Sequence, residues 1–138
     1  MADKLATLLR LRRLEADLAR RDLALAWHFE HEQQAGLDAA IAAPGVEASK
    51  LPAEADRLAQ AAFARWLPQA MLRVDQCHAA CGLAEEARLI AADEAASRHA
   101  ALEAVSQLQD ERRQAERKMA MRKMQSGLDE LAAQRHGR

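Results

Sequence analysis

The sequence contains one short run in which imidazoles and carboxylates recur at helical spacing. In His28-Phe29-Glu30-His31-Glu32, the side chains of His28 and Glu32 lie four residues apart, a spacing that lets both reach one divalent cation from the same helix face. The order differs from the zinc motif H-E-x-x-H, because the residue four after His31 is Ala35. We therefore expect these side chains to be a solvated helix face rather than a metal site.

A second run brings two thiols close to an imidazole. The segment Cys77-His78-Ala79-Ala80-Cys81 is neither a C-x-x-C motif nor the C-x-x-C-H motif of haem attachment. Two cysteines four residues apart on a helix would enclose almost no loop as a disulfide. We expect reduced thiols that pack as small hydrophobic side chains.

Other chemical motifs are missing from the sequence. The five glycines are scattered and form no phosphate-binding loop. No serine or cysteine lies beside a base in a segment that would form a pocket. The sequence therefore predicts a protein that is not an enzyme and that has no catalytic residue, cofactor or metal.

The composition specifies the elements that position these residues. The chain has 138 residues, half of them hydrophobic, with 34 Ala, 19 Leu and no Tyr. Strands need β-branched and aromatic side chains, whereas Ala, Leu, Arg, Glu and Gln favour helices. We predict an all-α protein with a single coiled-coil domain over residues 1–138.

The first predicted helix covers residues 2–43, because Pro44-Gly45 should end it. A turn over residues 44–51 follows. The apolar stripe predicted for the packed side of this helix consists of its bulkiest residues and then of alanines: Leu8, Leu11, Leu18, Leu25, Phe29, Ala35, Ala39 and Ala42.

The second predicted helix begins near Pro52 and ends near residue 134. Pro68 either kinks it or separates a short helix over residues 53–66 from a longer one. Its packed side is predicted from spacings of three and four, with two arginines as polar exceptions: Leu67, Ala70, Val74, Cys77, Cys81, Ala84, Arg88, Ala91, Ala95, Arg98, Leu102 and Val105. Leu108 falls outside this pattern, and a stutter over residues 111–118 leads into a new stripe of Met121, Met124, Leu128 and Leu131.

Two long helices joined by a short turn must run antiparallel. We therefore predict a long antiparallel two-helix coiled-coil hairpin in which the C-terminal helix overhangs. Leu5 would lie opposite residue 90, or nearer residue 107 if residues 53–66 fold separately. Either alternative leaves roughly 30 to 45 C-terminal residues without an internal partner. An unpartnered apolar stripe indicates that another protein binds there.

Charge is distributed unevenly. The net charge is −1, but residues 1–22 carry +2, residues 110–138 carry +3 and residues 23–109 carry −6. The hairpin would therefore have a basic open end and an acidic turn end. Nucleic-acid binding is disfavoured, because acidic residues interrupt the basic segment and it lacks aromatic residues. No apolar run of transmembrane length and no signal peptide is present, so we expect a cytoplasmic protein with no membrane insertion.

Two clusters allow two interpretations each. Met119, Met121 and Met124 lie among cations, and they either form an adaptable protein contact or fill the packed side of their own helix. Phe63 and Trp66 are either core residues near the turn or an exposed anchor for a partner.

Two segments of the sequence resemble a known family. They are Leu8-Leu9-Arg10-Leu11-Arg12-Arg13-Leu14-Glu15-Ala16-Asp17-Leu18-Ala19-Arg20-Arg21 and Met124-Gln125-Ser126-Gly127-Leu128-Asp129-Glu130-Leu131-Ala132-Ala133-Gln134-Arg135. The chain resembles the FliJ-type stalk proteins of bacterial flagellar export, including the YscO-type relatives of type III secretion. The two-helix layout and the length extend this resemblance over the whole chain.

The resemblance implies a non-catalytic cytoplasmic stalk, peripheral to the inner membrane. Such a stalk inserts its termini into the hexameric export ATPase and links it to the membrane export gate protein, with export chaperones as further partners. The ring contacts it implies are Arg10, Arg12, Arg13, Arg20, Arg21, Arg117, Lys118, Arg122, Lys123, Asp129, Glu130 and Arg135. The gate contacts it implies are Leu37, Ile41, Phe63, Trp66 and Leu67.

The alternative function is a stand-alone coiled-coil adaptor or homodimerisation module, in which the overhang pairs with a second copy. A helix lying on a membrane surface is disfavoured, because its polar face mixes basic and acidic residues.

Overall fold

The computed structural model describes residues 2–137 of the chain, and these residues form two helices. Helix α1 is Ala2–Lys50 and helix α2 is Arg57–His136, and they pack against each other. No residue from 2 to 137 belongs to a β-strand. The predicted all-α antiparallel helix pair is therefore confirmed. Over the same residues, neither helix has a segment long and apolar enough to cross a membrane.

The predicted end of the first helix is wrong. Helix α1 continues through Pro44 and Gly45 to Lys50. Pro44 is half-buried on the packed side of α1, so packing against α2 offsets the backbone hydrogen bond that its ring removes. The turn therefore covers residues 51–56 rather than 44–51.

The second helix begins later than predicted, because Asp56 caps it. The Asp56 side chain accepts a hydrogen bond from the backbone N–H of Ala59 at 2.8 Å, and its carbonyl accepts one from Gln60 at 3.2 Å. An aspartate cap of this kind contributes about 1 kcal/mol. Pro52 instead lies in the turn, where its carbonyl accepts a hydrogen bond from Ala55 at 2.9 Å. Helix α2 also continues through Pro68, which excludes a separate helix over residues 53–66.

The contacts divide the chain into two compact units. The first unit combines residues 1–16 with residues 97–138, and the second unit consists of residues 17–96. The first unit contains thirteen basic and eight acidic residues, which give +5, whereas the second contains seven basic and thirteen acidic residues, which give −6. The near-zero net charge of the chain thus hides two oppositely charged units.

The predicted packed side of α2 is confirmed. Every predicted position from Leu67 to Val105 is buried or half-buried, including Arg88 and Arg98. Ala84, at 1% exposure, is the most buried of them. Small side chains at these positions let the two helices approach closely. The predicted exclusion of Leu108 also holds, because this side chain is exposed.

The predicted packed side of α1 is wrong except at Leu8, which is half-buried. Leu11, Leu18, Leu25 and Phe29 are each about half exposed or more. The buried and half-buried positions of α1 instead recur at spacings of three and four through Leu9, Arg12, Ala16, Ala19, Leu23, Ala26, Glu30, Gln33, Leu37 and Ala40. This stripe contains polar residues and alanines, and it is selected because α2 requires carboxylates opposite its arginines and small residues opposite its alanines.

The pairing between the helices stops near Gln109. In the first unit, Glu15 of α1 contacts Arg98 of α2. Leu5 precedes Glu15 by ten residues, and because the helices are antiparallel it lies level with about residue 108 of α2. This is close to residue 107, but not for the expected reason, because that value assumed a separate helix over residues 53–66, which α2 excludes. Residues 110–137 are all exposed. We call the 27 helical residues 110–136 the free helix.

Replacing Pro44 with Ala should stabilise the protein. Alanine restores a helical hydrogen bond and removes the clash of the proline ring with the preceding turn, while the unfolded chain gains some freedom, for a net gain of about 1–2 kcal/mol. Urea denaturation measures the change. Pro52→Ala is the matched control and should cost up to about 1 kcal/mol, because Pro52 lies outside both helices. Equal or lower stability of Pro44→Ala would contradict this account.

Candidate protein-binding surfaces

An arginine of α2 fixes the helix pairing in the second unit. Arg88 forms an ion pair with Glu30, and the paired atoms Nε and Oε2 are both buried. The side chains of Arg88 and Glu30 retain only 20% and 24% exposure. The Arg88 Cζ also lies 4.4 Å from the ring centroid of Trp27, over the ring, in a cation–π contact. One guanidinium thus holds two residues of α1 that are three positions apart.

A second polar cluster occurs in the first unit. Glu15 Oε2 accepts hydrogen bonds from Arg12 Nη1 at 2.9 Å and from Arg98 Nη1 at 3.3 Å. All three side chains are partly buried, with Glu15 at 26% exposure. The Glu15 carboxylate therefore balances the positive charge of two arginines. One is Arg12, a predicted ring-contact residue, and the other is Arg98 on the packed side of α2.

The free helix presents an exposed surface in the first unit. Its stripe consists of Met121, Met124, Leu128 and Leu131, which are between 59% and 71% exposed. Spacings of three and four keep these four side chains on one side of the helix. Every predicted ring-contact residue of the free helix is also exposed: Arg117, Lys118, Arg122, Lys123, Asp129, Glu130 and Arg135.

The predicted ring contacts on α1 have different environments. Arg10 and Arg13 are exposed in the first unit, whereas Arg12 is half-buried against Glu15. Arg20 and Arg21 are exposed but belong to the second unit. The first unit thus brings Arg10 and Arg13 into the same compact region as the basic residues of the free helix.

An aromatic groove lies beside the turn of the second unit. The rings of Phe63 and Trp66 are 5.8 Å apart at an angle of 40°, and both side chains are half-buried. Together with Glu47, Leu51, Ala59 and Ala62 they line an open groove of about 490 Å³. The rings pack on each other while one side stays accessible, so the cluster is neither fully buried core nor fully exposed, and its role as an anchor for a partner stays a prediction.

The other predicted gate residues lie in the same unit but differ in accessibility. Leu37 is buried at 5% exposure, Leu67 is half-buried and Ile41 is 55% exposed. A partner could therefore touch Ile41, Phe63 and Trp66 directly, whereas Leu37 stabilises the contact between α1 and α2.

Sequence reasoning missed an exposed surface of the second unit, which we call the apolar face. It consists of Leu18, Leu25 and Phe29 of α1 together with Leu83 and Ile90 of α2, and all five side chains are between 49% and 70% exposed. Sequence reasoning places the leucines of α1 on the packed side instead. The sequence feature that could have revealed this surface is the pair of arginines on the packed side of α2, Arg88 and Arg98. These arginines need carboxylates opposite them, and this favours the side of α1 that contains Glu30.

The two candidate chemical runs place a histidine–carboxylate pair on α1 and two thiols on α2. His28 Nε2 lies 3.1 Å from Glu32 Oε1, and both side chains are well exposed. Among residues 2–137, no group of three or more His, Cys, Asp or Glu side chains converges on a point where an ion could be held. Cys77 and Cys81 are half-buried free thiols, as the sequence predicts. Partial burial raises the pKa of the Cys81 thiol, and negative charge at Cys77, Asp38 and Glu30 raises it further.

Comparisons with known protein families, with curated proteins and with solved structures found no match to this chain. The functional interpretation therefore depends on the surfaces described above.

Removing either partner of the Glu30–Arg88 pair should destabilise the second unit. Glu30→Ala leaves a largely buried guanidinium without its carboxylate, which costs about 1–3 kcal/mol. Urea denaturation of Glu30→Ala, Arg88→Ala and the double variant gives the coupling free energy, which we expect to be about 1–2 kcal/mol. The control cycle uses the exposed pair Glu47 and Lys50, for which about 0.5 kcal/mol or less is expected. Equal coupling in both cycles would contradict a role for burial.

The Cys81 thiol should react slowly near neutral pH. A raised pKa lowers the thiolate fraction, so alkylation should accelerate as the pH increases beyond 8.5, the usual value for a free cysteine. The rate is measured by mass spectrometry with iodoacetamide in a Cys77→Ser background. Adding Asp38→Asn removes a negative charge that raises the pKa, and it should increase the rate. Asp93→Asn, at an exposed site more distant along α2, should leave the rate unchanged. Equal rates for both variants would contradict the electrostatic effect of Asp38.

Proposed function

We propose that this chain is the non-catalytic central stalk of a bacterial flagellar or type III export apparatus. In this role its termini enter the hexameric export ATPase, and the second unit contacts the membrane export gate protein. The protein would work in the cytoplasm, peripheral to the inner membrane, and would meet export chaperones there. The observation that carries the proposal is the free helix, an extended stretch of α2 with an apolar stripe and no internal partner.

The dimensions of the free helix suit insertion into a ring. Its 27 residues correspond to about 40 Å at 1.5 Å per residue. A single helix is about 10–12 Å wide with its side chains, so it is a slender element that a ring of subunits could surround. Its exposed methionines are flexible and polarizable, which lets one helix adapt to non-identical subunit surfaces.

The charge distribution also supports entry of the first unit, rather than the second, into the ATPase ring. The first unit carries +5, and seven exposed basic residues lie on the free helix from Arg112 to Arg135. An acidic lining in the ATPase ring would attract this unit and accelerate its association. The acidic second unit would be repelled by the same lining, so charge would select which part of the chain enters.

The aromatic groove is the surface proposed for the export gate. Trp66 and Phe63 provide a rigid apolar floor of the kind that dominates binding energy at protein interfaces. Ile41 extends the accessible apolar surface on α1. A gate segment that inserts an apolar side chain into this groove would bury it without disturbing Leu37.

The stalk would act through asymmetry rather than through chemistry. A single helical element in a sixfold ring contacts each subunit differently, so it stabilises different conformations of neighbouring subunits. This difference would couple ring assembly or ATP hydrolysis to export. The stalk itself would bind no nucleotide.

A purified export ATPase provides the test. Titration with this protein should increase its oligomerisation and its turnover, measured by phosphate release. Reversing charges in Arg117→Glu/Arg122→Glu/Lys123→Glu should weaken the stimulation about tenfold or more, because three exposed attractive contacts become repulsive. Arg12 is left intact, since it holds Glu15 within the helix pair.

The matched control reverses three exposed basic residues of the second unit, in Arg57→Glu/Arg65→Glu/Arg73→Glu. This variant should stimulate the ATPase like the wild type. A failure of the wild-type protein to change either oligomerisation or turnover would reject the stalk and favour a coiled-coil adaptor.

A further inference from the structure

The apolar face lies on one side of the helix pair in the second unit. Along α1, Leu18, Leu25 and Phe29 immediately flank the packed stripe on one side, in heptad positions c and g. Along α2, Leu83 and Ile90 occupy position c of the heptads defined by Ala84, Arg88 and Ala91. In an antiparallel pair, position g of one helix faces position g of the other. Position c lies next to position g on each helix, so the c and g residues of both helices lie on the same side of the pair.

Four of the five residues are also at matching levels along the pair. The Arg88 guanidinium lies over the Trp27 ring, and a small groove connects Ala43 with Ala70. These two points place Leu25 about level with Ile90 and Phe29 between Leu83 and Ala87, whereas Leu18 extends the apolar face along α1 alone. The apolar face thus includes side chains of both helices at the same level of the pair.

The opposite side of the same unit is mixed. There α1 presents Arg20, His31, Gln34 and Asp38, together with Trp27, which is 54% exposed although the Arg88 guanidinium lies over its ring. On α2, the Leu89 side chain is 50% exposed on that side. Exposed apolar side chains therefore occur on both sides of the unit.

The free helix of the same chain has the complementary properties. Its stripe from Met121 to Leu131 spans ten positions, and the apolar face from Leu18 to Phe29 spans eleven. The free helix adds cations beside its stripe at Arg117, Lys118, Arg122 and Lys123, whereas the second unit carries −6. Opposite charges at matching apolar surfaces favour contact between them and disfavour pairing of two identical surfaces.

The occupant of the apolar face is assigned to a second copy of the chain. Helix α2 is one continuous helix from Arg57 to His136. A contact between unlike surfaces of two copies is heterologous, and it either closes reciprocally into a dimer or extends into a longer assembly.

We propose that the free helix of one copy binds the apolar face of a second copy, where it packs as a third helix. Met121, Met124, Leu128 and Leu131 would cover Leu25, Phe29, Leu83 and Ile90. The cations of the free helix would lie near carboxylates of the second unit such as Asp22 and Glu32, which are exposed at c and g positions of α1. The self-association and the proposed ATPase contact use the same surface of the free helix, so one free helix cannot make both contacts at once. Self-association is measured below without an ATPase, so either proposal can fail alone.

Complementation between full-length variants tests the proposal. A face variant, Leu25→Ser/Ile90→Ser, keeps an intact free helix, and a stripe variant, Met124→Ser/Leu128→Ser, keeps an intact apolar face. Sedimentation velocity should show the wild type as a dimer or larger at micromolar concentration. Each variant alone should associate roughly tenfold more weakly or not at all. An equimolar mixture of the two variants should associate again, because it contains one intact pair of surfaces.

Matched controls show whether weaker association comes from loss of this particular contact or from loss of any exposed apolar side chain. Leu89→Ser removes an exposed leucine from the opposite side of α2, and Met119→Ser removes an exposed methionine outside the stripe. Both should associate like the wild type, with unchanged helical circular dichroism. Association should also weaken as salt increases.

Three results would overturn the proposal. A wild type that stays monomeric throughout the concentration range rejects self-association. A face variant that keeps the wild-type mass shows that free helices pair with each other, and a stripe variant that keeps it shows that apolar faces pair with each other.

Discussion

The guanidinium of Arg88 is the constraint on which the second unit depends. Alanine is the commonest residue on the packed sides of the two helices, and alanines are interchangeable along a helix. Two helices packed in this way could slide past each other by one heptad with little loss of buried area. Glu30 and Trp27 remove that freedom, because a slide would leave a charge buried without a partner. Glu15 provides the same restriction in the first unit through Arg98.

This constraint also explains which parts of the fold could be predicted from the sequence. The packed side of α2 follows directly from its spacing, because moderately bulky residues and cysteines recur without competition from another stripe. Helix α1 has two candidate stripes, and the bulkier one faces solvent. Single-helix hydrophobicity favours the wrong stripe there, since it does not include the requirement that Arg88 and Arg98 have carboxylates opposite them. Pro44 was misleading for a related reason: local backbone preference is a small energy compared with continued packing against α2.

The candidate surfaces were predictable to different extents. The unpaired C-terminal segment follows from the unequal lengths of the two helices, and its start at residue 110 depends only on where the turn lies. The position of the basic residues follows from the sequence as well. The accessibility of the predicted gate residues does not, because burial of Leu37 and exposure of Ile41 reflect a rotation of α1 that only the paired structure defines. The apolar face was hidden by the same rotation.

The two tryptophans have a further consequence, since the chain lacks tyrosine. Trp27 lies beneath a guanidinium at the middle of the second unit, and Trp66 lies against Phe63 in the groove beside the turn. The Arg88 cation over the indole ring of Trp27 and the Phe63 ring beside Trp66 perturb the excited states of the two tryptophans differently. The protein thus has two intrinsic fluorophores in chemically distinct surroundings, one sensitive to the register of the helices and one to occupancy of the groove. Replacing either tryptophan with phenylalanine leaves a single emission signal that follows one of these events in solution without an attached dye.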